Sequence, residues 1–293
     1  MRKAILRFKR ISGRYTMGIL LHRTESGLVA SRDGSFGFWE GDWDSLFRGA
    51  DARDELESFK PDHNESAQIA CRDSLLPPIG SQEVWASGVT YYSSRLARME
   101  ESKSAGGSDF YAAVYNADRP ELFFKSNPER VRGHGQSVCI REDSSWDVPE
   151  PELTLAIGSD GSIFGYTIGN DMSSRSIEGE NPLYLPQAKS YNGSAGLGPC
   201  PCLLDTPIPA ETKIRLSIER NGATAFEGET QLSQMKRKPE ELAAYLFREM
   251  DFPYGCYLMT GTGIVPGTDF SLQSGDCISI SIDQLGSLVQ SVE

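Results

Sequence analysis

Three stretches of the chain alternate around a turn dipeptide, and they restrict its fold more than any other feature. "ELTLAIGSDGSIFGYTIG" places two apolar runs on either side of Asp160-Gly161. "TKIRLSIERNGATAFEGET" alternates and turns at Asn221-Gly222, and "DCISISIDQLGSLVQSV" closes the chain with another pair. Asp-Gly and Asn-Gly supply the backbone angles a tight hairpin needs, so each stretch reads as antiparallel strands. One clear helix interrupts them, "KPEELAAYLFREM". Pro239 suits its first turn, Glu240 and Glu241 suit the dipole, and Leu242, Tyr245, Leu246 and Met250 share a face. The expected fold class is α+β, a mixed, β-dominated roll with few helices.

Residues 1–75 have a different texture. "GILLHRTESGLVASRDGSFGFW" suggests short strands turning at Glu25-Ser26-Gly27 and Asp33-Gly34, and "DWDSLFRGADARDELESF" reads as a weak helical patch. Pro77-Pro78 marks a boundary. The expected organisation is a small N-terminal domain, 1–75, and a larger domain, 76–293, in keeping with a length above the usual single-domain size. A net charge of −12 argues against nucleic acid and anionic membranes as partners, because both select a basic footprint. The N-terminal apolar runs are too short for a signal peptide or a membrane span. Six scattered cysteines without zinc-like spacing read as core thiols of a reducing cytoplasm.

"DVPEPELTLAIG" sets Glu150 and Glu152 two apart at the mouth of a strand, on one face and about 6.6 Å apart. Pro151 between them cannot donate to a ladder, which fits a strand start or an edge. With the turn centred on Asp160, Glu152 faces Ile168 and Glu150 faces Asn170, so Asp171 arrives beside the glutamates. Alternation alone points Asp171 slightly wrong, which calls for a bend at Gly169-Asn170. Three converging carboxylates raise one another's pKa unless a cation joins them. An all-oxygen set favours a hard ion, Mg²⁺ first, with Mn²⁺ or Ca²⁺ as alternatives. On spacing alone, the glutamates read equally as two solvated residues at a strand end.

Residues 170–199, "NDMSSRSIEGENPLYLPQAKSYNGSAGLGP", lack clear periodicity, and a long irregular segment inside a domain usually has a task. Together with "PEPELTLAIG" before it and "YLMTGTGIVPGTDFSLQSGDCISISI" after it, this segment resembles the fumarylacetoacetate hydrolase superfamily over roughly residues 76–293. "SIEGENPLYLPQAK", "EVWASGVTYYSSRLARMEE" and "DRPELFFK" are most similar to its 2-keto-3-deoxy-pentonate dehydratases. The resemblance implies the family's C-terminal β-sandwich roll behind a small N-terminal α/β domain. It also implies dehydration of an arabinonate- or xylonate-type 2-keto acid to 2,5-dioxopentanoate, in a homodimer or homotetramer.

The same resemblance implies that Glu150, Glu152 and Asp171 hold Mg²⁺ and that Lys189 stands at the metal. Glu121 falls where the dehydratases carry a second catalytic group, beside apolar Leu122, Phe123 and Phe124. The segment 173–189 becomes a lid that reaches substrate hydroxyls with Arg175, Glu178, Glu180 or Asn181. Gly261-Thr262-Gly263 is expected at the substrate carboxylate, and Ser87, Gly88 and Thr90 at the pocket wall. Lys125 reads equally as a ligand contact or a surface residue. Hydrolases of the superfamily carry a His–Glu pair in a pattern like "NYxxHxxE"; here Ser94 and Ala97 take those places. Without that base a carbon–carbon hydrolase lacks its activated water, whereas a dehydratase needs none. The alternatives are a hydrolase of acylpyruvate or fumarylacetoacetate type or an oxaloacetate decarboxylase on the same fold, and a non-catalytic β-rich binding protein.

Overall fold

The computed structural model describes residues 18–94, 113–204 and 206–293. The basic start of the expected N-terminal domain, residues 1–17, lies outside them. The chain opens with a meander of β1 (Ile19–Thr24), β2 (Gly27–Arg32) and β3 (Ser35–Trp39), turned where the sequence places its turns. Three helices follow, α1 (Trp43–Arg48), α2 (Ala50–Ser58) and α3 (Glu65–Asp73), where the sequence pattern suggests a single patch. Capping fixes where two of them start: the Asp42 carboxylate accepts the Ser45 N–H, and the Asn64 side chain accepts the Ala67 N–H. Next come β4 (Glu83–Gly88), β5 (Glu121–Ser126), β6 (Val131–Arg132), β7 (Ser137–Val138) and β8 (Asp147–Val148). The acidic hairpin is β9 (Pro151–Ile157) with β10 (Ile163–Asp171), followed by β11 (Ser173–Ser174), α4 (Arg175–Glu180), α5 (Leu185–Lys189) and β12 (Ala195–Leu203). The remainder holds β13 (Lys213–Arg220), β14 (Ala223–Gln231), α6 (Pro239–Leu246), β15 (Cys256–Met259), β16 (Cys277–Ile282) and β17 (Gly286–Val292).

Ten strands form one mixed sheet in the order β3-β2-β1-β12-β10-β9-β15-β4-β5, with β6 beside β12. A second sheet runs β14-β13-β16-β17-β7. All three hairpins are present, and Asn221 and Gly222 take φ of 54° and 78°, as a tight turn between twisted strands requires. One face of the large sheet, with Leu153, Leu155 and Ile168, packs on Ile214, Leu216, Ile278 and Ile280 of the smaller. The opposite face, with Ala156, Tyr257 and Met259, lies under Trp43, Leu46 and Phe47 of α1 and Leu56 of α2. Covered on both sides, β9 is buried at every position, which explains its nearly continuous apolar run. The fold is therefore α+β and β-dominated. β1 pairs with β12, so the change in texture at Pro77-Pro78 is not a break in the sheet. α6 ends at Leu246, and Met250, expected on its apolar face, is 38% exposed. No helix among the described residues is long and apolar enough to cross a membrane.

The acidic hairpin departs from simple alternation at one point. Ile163 pairs with Ile157 beside the turn, but Gly165 pairs with Ala156 and Gly169 with Glu152. Phe164 is thus an extra residue, a bulge that shifts every later pair by one. The shift brings the Asp171 N–H to the Glu150 carbonyl at 2.9 Å, so the two residues stand directly opposite. Opposed residues share a face. The register, rather than the expected bend at Gly169-Asn170, aims Asp171 at the glutamates.

Candidate metal centre

Glu150, Glu152 and Asp171 are 5%, 1% and 1% exposed, and each offers a carboxylate oxygen lying within 4.8 Å of the others. Two like charges at that distance repel by about 3 to 4 kcal/mol at an effective dielectric of about 20. Burial, followed by the charges of Asp171 and Glu150, pushes the Glu152 carboxyl well above the usual carboxylate range; Lys189 and the Gly261 N–H oppose the shift. Glu152 Oε2 accepts that N–H at 2.5 Å. Its Oε1 is buried with no hydrogen-bond partner among the described residues. An unpaired oxygen within three converging carboxylates, with no His or Cys among them, fits a hard dication, Mg²⁺ above all.

Cations close the other side of the cluster. Lys189 Nζ donates to Glu150 Oε2 at 2.9 Å, Asp171 Oδ2 at 3.0 Å and Ser173 Oγ at 2.5 Å, and lies 3.5 Å from Glu178 Oε1. Arg175 Nη2 donates to Glu150 Oε1 at 2.6 Å. Lys125 Nζ is 2.6 Å from Asp171 Oδ1. Four carboxylates against three cations leave one negative charge. A dication would turn that into one positive charge, which a monoanionic acid balances.

The segment that looks irregular in sequence delivers most of these groups. Ser174 caps α4 by accepting the Ile177 N–H, Asn181 accepts the Leu183 N–H, and Pro186 starts α5. Helices this short leave no room for an apolar stripe, so periodicity does not reveal them.

The fumarylacetoacetate hydrolase C-terminal model matches residues 94–293. A probable 2-keto-3-deoxyxylonate dehydratase of Haloferax volcanii is 47% identical over 216 residues, 73% of each chain. The 2-dehydro-3-deoxy-D-arabinonate dehydratase of Saccharolobus solfataricus is 44% identical over 221 residues, 75% of this chain and 74% of that one. Among solved structures, a 2-keto-3-deoxy-D-arabinonate dehydratase complexed with magnesium and 2,5-dioxopentanoate superposes with a TM-score of 0.81 at 34% identity, over 94% of this chain and 99% of the other. The chain belongs to the fumarylacetoacetate hydrolase family.

In this family member the remaining sequence-derived candidates divide. Ser87, Gly88 and Thr262 line the small cavity at the cluster, with Phe123 and Ser94. Glu121 stands opposite Gly88 in the β4–β5 register, its carboxylate so close that a Cβ on Gly88 would come within 2.1 Å of Oε2. Thr90 is one step removed: its hydroxyl donates to the Thr260 carbonyl at 2.7 Å and props the Gly261 turn. The Gly261 N–H, expected at the substrate carboxylate, is spent on Glu152. Arg175 lines the same cavity while donating to Glu150, whereas Glu178 is buried beside Arg175 and does not line it. Glu180 is exposed and Asn181 caps a turn of 3₁₀ helix, so neither lines the cavity.

The chain's three histidines lie elsewhere: His22 bonds Ser31, His63 faces Ser35 and His134 contacts Ser287. Ser94, in the place of the hydrolases' histidine, exchanges hydrogen bonds with Tyr91; Ala97 lies outside the described residues. A larger groove, about 350 Å³, runs past Ile163, Tyr166 and Leu204. Glu240 is its one lining carboxylate among the described residues, so the chemistry rather than the size locates the site. Lys125 and Ser173 are the functional neighbours that sequence reasoning leaves unassigned. A lysine directly after the apolar pair Phe123-Phe124 is their nearest signal.

Proposed function

We propose that the chain dehydrates a 2-keto-3-deoxy-pentonate of the arabinonate or xylonate type to 2,5-dioxopentanoate, with Mg²⁺ held by Glu150, Glu152 and Asp171. The observation that carries the reading is the buried acidic triad, with Glu152 Oε1 unpaired, beside a cavity that no histidine lines. When bound, the dication acts as a Lewis acid on the keto acid and makes its C3 protons more acidic. Lys189 and Glu121 then move the protons: one takes a proton from C3 while the other delivers one to the departing C4 hydroxyl, releasing water and leaving a C3–C4 double bond. Transfer of a C5 proton to C3 gives the C4–C5 enol, which becomes the aldehyde by protonation at C4 and loss of the enol O–H proton. Ser87, Gly88 and Thr262 shape the wall against which the substrate lies. The space left among these groups, about 10 Å³, is at most the ~10–15 Å³ that a single water needs, so α4 and α5 act as a cover that shifts to admit substrate.

The test is a racemic 2-keto-3-deoxy-pentonate followed by NMR, with Mg²⁺ and with EDTA, alongside acylpyruvate and oxaloacetate. Dioxopentanoate forming only with Mg²⁺ is the expected result; pyruvate or CO₂ release from the other acids in its place would make the chain a hydrolase or decarboxylase. We also propose that residues 1–75 form a small N-terminal domain, which adds β1, β2 and β3 to the shared sheet. The protein is further proposed to work in the cytoplasm as a homodimer or homotetramer, a setting that suits its six unpaired cysteines.

A further inference from the structure

Lys125 is wholly buried on β5, and its ammonium has two acceptors and one ion-pair partner. It donates to the Met172 carbonyl at 2.8 Å and to the Lys189 carbonyl, and it pairs with Asp171 Oδ1 at 2.6 Å. Two of its three N–H donors are thus taken by main-chain carbonyls, and the Asp171 contact is an ion pair. The two oxygens of Asp171 are divided between the lysines: Oδ1 faces Lys125, and Oδ2 accepts from Lys189. One side chain thus ties together a carboxylate of the triad, the chain directly after it and the main chain of Lys189 at the end of α5. Burying an ammonium costs several kcal/mol unless its partners are well placed. An apolar residue of similar length would fill the space but leave the two carbonyls and Asp171 Oδ1 without this partner.

We propose that Lys125 is a positioning residue, which sets the orientation of Asp171 toward the metal and holds Lys189 in register with the substrate. Its catalytic consequence rests on the dehydratase reading above; its effect on metal binding does not. The experiment compares native protein with Lys125→Met and Lys125→Arg by Mn²⁺ affinity from electron paramagnetic resonance, by kcat and KM, and by unfolding midpoint. Partners of metal ligands typically contribute 10- to 100-fold. Both variants are expected to bind Mn²⁺ about 10- to 100-fold more weakly and to lose kcat by more than KM rises. The arginine variant keeps the charge, but its planar fork does not match three divergent partners. It carries the test if the methionine variant does not fold. A folded variant with Mn²⁺ affinity and kcat within twofold of native, whatever its unfolding midpoint, would reduce Lys125 to a structural residue and overturn the proposal. If native protein fails to dehydrate any keto-deoxy acid, the functional reading falls while the Mn²⁺ comparison still decides the role of Lys125.

Discussion

Replacing Glu152 by Gln should make the metal-free protein more stable and the magnesium-loaded protein less so. In the native protein the Glu152 carboxylate is one of three within 4.8 Å, and its pKa is raised well above normal. Two routes limit the free energy at stake. Left charged, the side chain meets repulsion of about 3 to 4 kcal/mol from each like neighbour, partly offset by Lys189. Protonated instead, it must hold a proton at pH 7 against an unfolded value near 4.3, which costs about 1.36 kcal/mol per unit, or roughly 3.7 kcal/mol. The protonation route sets the ceiling near 4 kcal/mol, because a group that can take up a proton need not bear the full repulsion of both neighbours.

Glutamine avoids either cost but weakens the bond from the Gly261 N–H by about 1 kcal/mol. The variant should therefore gain about 1 to 3 kcal/mol in EDTA, or about 2 to 10 °C in unfolding midpoint for a domain of this size. The pH dependence has a definite sign. A raised folded-state pKa contributes stability that is complete below about 4.3 and is lost as pH rises through the folded value. Native protein in EDTA should lose stability along that path, and the variant should lose less. With Mg²⁺ the order inverts, because a ligand that binds only the folded native protein at 1,000 times its Kd adds about 4.1 kcal/mol. Scanning calorimetry from pH 4 to 8, with EDTA and with Mg²⁺, measures all of this. A variant less stable than native in EDTA, or one that gains as much from Mg²⁺, would refute the reasoning.

Lys189→Met should still bind Mn²⁺ but dehydrate about 10² to 10⁴ times more slowly in stopped assays, and native turnover would remove Lys189 from proton transfer. Gly88→Ala drives a Cβ to 2.1 Å from Glu121 Oε2, the far end of a flexible side chain, so the carboxylate must move. It should lower kcat at least tenfold with under about 1 kcal/mol lost in urea unfolding, and unchanged kcat would discharge Glu121. Leu155→Ala, between the two sheets, should cost about 2 to 5 kcal/mol in the same unfolding series without changing Mn²⁺ affinity.

The hairpins and the acidic pair were legible because turn dipeptides and strand alternation are local signals. Gly161, Asn221 and Gly222 take the positive φ that their residue types favour. The bulge at Phe164 is marked only by Gly165 inside the strand, a signal too weak to fix the register. α3 escaped notice because only its Asn64 cap and a few small buried residues define it. The same limit hid α4 and α5. Glu150, Glu152 and Asp171 could be brought together from register, but Lys189 and Glu121 came only through the family likeness. Lys125 shows the opposite case, since a lone lysine is usually solvated and only burial with three partners identifies it.

A crystal of the protein soaked in Mn²⁺ and measured at the manganese absorption edge addresses the central claim without reference to substrate. One anomalous peak within about 2.0 to 2.3 Å of oxygens from Glu150, Glu152 and Asp171 is the predicted result. A peak elsewhere, with the three carboxylates still packed against Lys189, Arg175 and Lys125, would contradict it.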